Sequence, residues 1–390
     1  MTATSQLAGF VERRLLERNR VFDDFFAREA PRLAAACRDM SARFLQGGRL
    51  LAFGRGPYST DAQHVSVEFV HPVIVGKRAL PALDLSAAFA PLADALVQPR
   101  DMVMGFGPPE GDPEVSRTLV AAGRRGAMTF ALPGPAGSYA VDCFTSDAFI
   151  HQEVIEVLYH TLWETVHVFF EHRELDSEAG DAGFLYPFLG QQQPSGGIVA
   201  DVAASIRMKV AEDSRLRQRA AAEEGERIAA AAQAMAESLR RGGKLILFGN
   251  GGSATDANDW ALDCVCPPAG MRPEAAVSLS AEPAVLTALA NDVGTEVIFM
   301  RQLIAQARPG DVAVGISTSG GSRNIILALE EARRRKLVTV ALLGYDGGEV
   351  VRQGLADFPL VVRCDYIPRI QEVQASIYHV AREALGANYA

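Results

Sequence analysis

Residues 54–68, GRGPYSTDAQHVSVE, and residues 249–263, GNGGSATDANDWALD, align without a gap. The match continues outward on both sides. GGRLLAFG at 47–54 pairs with GGKLILFG at 242–249, RDMVMGF at 100–106 with GDVAVGI at 310–316, and HQEVIEVLYH at 151–160 with IQEVQASIYH at 370–379. A repeat unit of about 190 residues is far too long for a solenoid and has the size of a whole domain, so the chain reads as a domain duplication.

Each half carries the same order of elements. Phe10, Leu15, Phe22, Phe25, Phe26 and Leu33 fall at helical spacing over 8–46, Gly47-Gly48 stops that helix, and RLLAF follows as a short buried strand. The second half repeats the pattern with an Ala-rich helical stretch at 216–241. Its strands KLILFG, AAVSL, DVAVGI, TVALLG and FPLVV are separated by amphipathic runs. Such alternation predicts two tandem three-layer α/β/α domains with parallel central sheets, doubly wound and flavodoxin-like. The expected domains are 1–172 and 198–390. Between them the acidic, aromatic and then Gln/Pro/Gly-rich segment at 173–197 is expected to be a linker, with Phe184, Leu185, Tyr186 and Phe188 free to dock on a domain.

With 390 residues, 48% of them hydrophobic and 22% charged, there is apolar material for two cores. A net charge of −9 argues against nucleic acid or an anionic membrane as a partner. No apolar run approaches a membrane span and the N-terminus has no signal-like pattern, so the expected compartment is the cytoplasm. Cys37, Cys143, Cys264, Cys266 and Cys364 are odd in number and scattered, which fits reduced thiols; the Cys264/Cys266 pair lacks the second pair of a thiolate cage.

The strongest chemical signal lies in the second half. Gly249-Asn250-Gly251-Gly252-Ser253 follows a buried strand and opens a helix, which makes an anion site of its amides. A second such loop, Ser317-Thr318-Ser319-Gly320-Gly321-Ser322, lies between DVAVGI and the helical IILALEEARRR. Hydroxyl-rich loops at strand ends suit a phosphate monoester, so the expected ligand is a sugar phosphate held by Gly251, Gly252, Ser253, Ser317, Thr318, Ser319 and Ser322. Gly249-x-Gly251-x-x-Ala254 formally fits a dinucleotide fingerprint. AAVSLSAEP, however, offers only Ser278 and Ser280 where that fingerprint wants an acidic residue, so no nucleotide cofactor is expected.

The second half resembles the sugar isomerase (SIS) domain, most closely the phosphoheptose isomerase family. GNGGSxxDA at 249–257, ALAND at 288–292, GISTSG at 315–320, a GxDGG turn at 344–348 and RIQE at 369–372 carry the resemblance in family order over nearly all of 200–390. The first half resembles it more loosely over 8–170. The family places a His and, four residues on, a Glu after the first glycine loop, and a Gln and, eight residues on, a His in the last helix. His64, Glu68, Gln152 and His160 keep that set in the first half, whereas the second half has Asp259, Asp263, Gln371 and His379, a second or vestigial site. Conversely, the first half's loops are reduced to Gly54-Arg55-Gly56-Pro57-Tyr58 and Gly105-Phe106-Gly107-Pro108-Pro109-Glu110, which are poor for phosphate.

The resemblance implies aldose–ketose isomerisation of sedoheptulose 7-phosphate or a similar sugar phosphate through an enediolate, with one composite site drawing on both halves. Glu68 is the expected base and His160 the expected acid. Asn250 and Asp292 are expected to reach sugar hydroxyls. His64 and Glu68 share one helix face, and Gln152, Glu156 and His160 another. His64, Glu68, Gln152 and His160 suit a divalent ion, Zn²⁺ first. The family tetramer implies a homodimer of this two-domain chain. The competing expectation is a non-catalytic phosphosugar-binding regulatory or protein-interaction module, since SIS domains serve in that role too.

Overall fold

A computed structural model of the chain describes residues 3–72, 77–135, 137–174 and 195–387. Phe184, Leu185, Tyr186, Phe188 and most of the expected linker lie outside the described residues. Two compact units result, Arg20–Glu212 and a second made of Met1–Asn19 with Asp213–Ala390. The first half supplies α1 (Ala3–Leu45), β1 (Leu50–Phe53), α2 (Ser59–Val70), β2 (Ala82–Asp84), α3 (Phe89–Leu96), β3 (Met102–Phe106), α4 (Pro113–Arg124), β4 (Met128–Leu132), β5 (Tyr139–Ala140) and α5 (Ala148–Glu174). There follow α6 (Ser195–Arg240), β6 (Leu245–Gly249), α7 (Gly252–Val265), β7 (Ala276–Ser278), α8 (Pro283–Asp292), α9 (Ile298–Gln306), β8 (Val312–Ser317), α10 (Arg323–Arg334), β9 (Val338–Gly344), α11 (Gly348–Arg352), β10 (Phe358–Val362) and α12 (Ile367–Ala387).

The first unit holds a sheet of order β2-β1-β3-β4-β5, parallel throughout. β1, β3 and β4 are buried on both faces, as their unbroken apolar runs require. Leu50 and Ala52 of β1 join a core with α1, α2, α5 and α6, while Leu51 and Phe53 join the opposite core with α3 and α4. Period-two alternation thus makes the three layers. The second unit repeats this with the order β10-β9-β8-β6-β7, also parallel. Leu245 and Leu247 of β6 face α7, α12 and segments of α1 and α6; Ile246 and Phe248 face α9, α10 and α11.

In each sheet the chain leaves one strand, β1 or β6, for a neighbour on one side and then returns to the other side. The helices after β6 and β8 therefore go to opposite faces: Trp260 of α7 packs in one core and Ile325 and Leu329 of α10 in the other. Where the strand order reverses, the loops at the strand carboxyl ends part and leave a crevice, which is where ligands bind in this architecture.

Close backbone approach keeps the second crevice in shape. Gly320 has φ +60°, and a Cβ there would lie 2.2 Å from the Gly347 carbonyl oxygen. Gly320→Ala is expected to cost about 1–3 kcal/mol from the left-handed backbone alone, with the clash in addition; a lowered urea midpoint at unchanged slope checks this.

Candidate functional site

In the second unit, β6 ends at Gly249, and Gly251 at φ 57°, ψ −126° turns the chain into α7. Glycine takes this conformation without steric cost. No side chain caps α7, and buried Ser253 lies in its first turn. The Ser280 hydroxyl fastens the strand end, accepting from the Gly249 amide at 3.2 Å and donating to its carbonyl at 3.0 Å.

One strand over, β8 ends at Ser317. Its hydroxyl accepts from the Gly320 amide at 3.1 Å, and that of Ser319 from the Gly321 amide at 3.2 Å. Ser322 is the N-cap of α10 and makes no side-chain capping bond, so no loop side chain competes for the leading amides of that helix. Register puts Gly249 opposite Ile316, which makes the two loops neighbours. They are tied by Asn250 and Asn324, whose amides exchange two bonds of 2.9 Å. Asn250, Gly251, Gly252, Ser253, Ser317, Thr318, Ser319 and Ser322 thus share one sheet edge, and helix-start amides and hydroxyls of this kind suit an anion. Asp292 is the exposed last residue of α8, its carboxylate accepting from Asn291 at 2.7 Å. Asn324 has no spacing signal in the sequence.

The first unit's equivalent edge is built differently. Pro57 sits in the short turn before α2, and α4 is capped by Asp112, whose Oδ1 accepts from the amides of Glu114 at 2.7 Å and Val115 at 2.9 Å. Arg55 Nη1 lies 3.0 Å from Glu114 Oε2 and 3.6 Å from Asp112 Oδ2. Glu110 is exposed. The carboxylate at the start of α4 is therefore that of Asp112.

The first unit's own chemistry lies between α2 and α5. His64 Nε2 stands 3.3 Å from His160 Nε2 and 3.8 Å from Glu68 Oε1. One ligand atom each from His64, Glu156 and His160 lie within 4.8 Å of one another, and all these side chains are buried. Two imidazoles and a carboxylate converging in an apolar helix interface match the donor preferences of Zn²⁺ and similar ions. Gln152 is engaged elsewhere, its Nε2 donating to Asp61 Oδ2 at 3.2 Å and Thr60 Oγ1 at 3.4 Å. Glu156 was not among the four ligands drawn from the resemblance, although it lies one turn from both Gln152 and His160.

At the matching place in the second unit, His379 Nε2 of α12 lies 3.4 Å from Asp259 Oδ2 and 3.2 Å from Asp263 Oδ2 of α7. The three form a buried cluster. Tyr378 donates to Asp259 Oδ2 at 2.8 Å. Burial, and next the charge of Asp259, push the Asp263 carboxyl up to about 7, with His379 pulling the other way. Gln371 is buried on α12 as well. Its neighbours Arg369 and Glu372 are ion-paired with each other, and Arg369 lies 3.3 Å from Asp213.

A doubly wound α/β fold with paired glycine/serine loops over a strand-order reversal defines the class. The SIS domain family matches residues 210–344. Phosphoheptose isomerase of Geotalea daltonii is 43% identical over 160 residues, covering 41% of this chain and 82% of that protein. The Thermodesulfovibrio yellowstonii phosphoheptose isomerase is 38% identical over 184 residues, 47% of this chain and 90% of that one. In fold alone, the C-terminal domain of glucosamine-fructose-6-phosphate aminotransferase from Francisella tularensis is similar over 97% of this chain and 95% of that one, with TM-score 0.59 at 9% identity. The chain belongs to the SIS family of phosphosugar isomerases, with phosphoheptose isomerases among its relatives. No helix among the described residues is long and apolar enough to cross a membrane.

Two outcomes are expected from this geometry. Asn324→Ala unties Asn250 and should weaken sugar phosphate binding about five- to tenfold, roughly the worth of one well-made hydrogen bond, read by calorimetric titration. For Asp263, the folded-state value lies above the ordinary 3.8, so the folded chain holds the proton longer and stability falls as pH rises from about 4 through about 7. Asp263→Asn should flatten that slope in urea unfolding of metal-free protein at pH 4.5, 6 and 7.5.

Proposed function

We propose that the chain interconverts the aldose and ketose forms of a sugar phosphate, sedoheptulose 7-phosphate or a close analogue, using Glu68 and its neighbours for proton transfer and the second unit's loops for the phosphate. The buried cluster of His64, Glu68, Glu156 and His160 is the observation that carries this reading. Four titratable side chains without bulk solvent are costly to a fold unless they are used.

The phosphate anchors on the amides and hydroxyls of Gly251, Gly252, Ser253, Ser317, Thr318, Ser319 and Ser322, while Asn250 and Asp292 take sugar hydroxyls. Binding energy from this end, remote from the reacting carbons, orients the carbonyl. Glu68 removes the proton from the carbon next to the carbonyl, the electron pair moves onto oxygen to give the enediolate, and Glu68 returns the proton to the adjacent carbon. His160 exchanges the proton between the two oxygens. His64 and Glu156, with His160 in place of its proton-transfer role, would hold a divalent ion with Glu68 adjacent to it, and such an ion would supply polarisation of the substrate oxygens. Gln152 orients α5 on α2 through Asp61. Asp259, Asp263 and His379 are proposed as a second, vestigial site. The working assembly is a homodimer, and the compartment is the cytoplasm.

The test is incubation of the full chain with sedoheptulose 7-phosphate in D₂O. Product formation with deuterium entering at the carbon next to the carbonyl is expected. Glu68→Gln should lower turnover by about 10²–10⁴-fold with binding retained, and Ser319→Ala should mainly raise KM. A sugar phosphate that binds with neither product nor exchange overturns the catalytic reading and leaves a phosphosugar-responsive binding protein.

A further inference from the structure

Beside the second unit's loops, whose phosphate role rests on that reading, the first unit keeps a crevice of its own. We propose that the carboxyl edge of β1 and β2 is a second ligand site, and that it takes an uncharged polyhydroxylated molecule, a sugar without phosphate.

The frame of the ligand crevice is preserved there. The Gly54 amide donates to the Ser86 hydroxyl at 3.1 Å, as the Gly249 amide donates to Ser280 at 3.2 Å in the other unit. Above this latch lies an open cleft of about 540 Å³, within the range of small-molecule sites. Its polar lining includes Arg55, Ser59, Gln63, Asp84, Ser86 and Glu114, and one wall is apolar, formed by Ala87 to Pro91. Phe89 in that wall is fixed by stacking on Phe53, with ring centroids 4.8 Å apart. Carboxylates accept from sugar hydroxyls, guanidinium and amide groups donate to them, and the apolar wall suits the C–H face of a sugar.

The phosphate end of the crevice is closed from within. In the second unit the leading amides of α10 have no competing cap; here those of α4 are taken by Asp112. Arg55, the cation at this edge, is already shared between Asp112 and Glu114. Asp84 adds a third carboxylate, itself accepting from the Ser86 hydroxyl at 2.5 Å and amide at 2.9 Å. A phosphate dianion would meet three carboxylates against one engaged guanidinium, and like charges at this range repel. A neutral polyol meets no such penalty. The Asp112 carboxylate occupies the kind of helix start to which a substrate phosphate is proposed to bind in the other unit, so the site retains the sugar end and gives up the anion end.

The test uses the full chain with free sedoheptulose as the probe, followed by saturation-transfer NMR. Transfer to the free sugar should persist when sedoheptulose 7-phosphate is added in excess to fill the second unit's loops. It should fall about tenfold, in apparent affinity, when Ala87→Trp fills the cleft from an exposed wall position. Glu114→Gln serves as a second variant that leaves the wall intact, and it too should weaken the free sugar. Absence of transfer overturns the proposal. So does complete displacement by sedoheptulose 7-phosphate, or transfer unchanged in folded Ala87→Trp and Glu114→Gln proteins.

Discussion

Parallel pairing of β6 with β8, Gly249 against Ile316, is the constraint on which the anion-binding edge depends. Because neighbouring parallel strands end at the same edge, their exits emerge side by side, and because the chain reverses its direction of travel there, the following helices diverge. The edge is thereby left with two neighbouring helix starts, and Ser253, Ser317, Thr318, Ser319 and Ser322 each sit within two residues of a strand end or a helix start. Gly251 and Gly320 then have to be glycine because the backbone at each strand exit folds back tightly, at φ +57° and +60°.

The same frame gives two outcomes in the two units, and the difference traces to what caps one helix. Ser322 leaves the start of α10 to a ligand; Asp112 consumes the start of α4. A helix start is an anion site only while its own chain supplies no anion. With Asp112 in place, Arg55 becomes a partner for Asp112 and Glu114 and is no longer a spare cation for a ligand. The His and Glu pair has the opposite distribution, since His64 and Glu68 of α2 are matched in α7 by Asp259 and Asp263. The two sheets thus share one strand order while the side chains at these matching positions differ.

Strand positions and glycine loops were legible in the sequence because they follow from one-dimensional patterns. KLILFG and DVAVGI are unbroken apolar runs flanked by glycine, which leaves little choice but buried parallel strands. The meeting of His64 with His160 was legible only through family spacing, as nothing local in the sequence says that α2 packs on α5. Glu156 carried a spacing signal but no motif, and Gln152, which has the motif, is turned to Asp61 and Thr60. The Asn250 pairing with Asn324 was not legible at all, because a bond between residues that far apart exists only once β6 and β8 are neighbours. Glu110 was the nearer acidic residue to the loop, yet Asp112 acts, because only the residue just before the helix has the extended backbone, φ −121° and ψ 126°, that turns a side chain onto the amides.

Burial bears on both the functional and the structural reading of the His and Glu set. A His and a Glu four apart on a solvated helix face would be worth a few tenths of a kcal/mol and would need no explanation. Here His64, Glu68, Glu156 and His160 are each under 5% exposed, and imidazole nitrogens stand 3.3 Å apart. Two imidazoles at that distance can share a single proton or turn lone pairs to a cation, but both cannot be protonated without strong repulsion. Apolar residues would fill the same helix interface at lower cost, as Val65 and Phe69 already do along α2. The cluster is therefore stabilised poorly by packing alone, and its presence supports the proton-transfer role proposed for it.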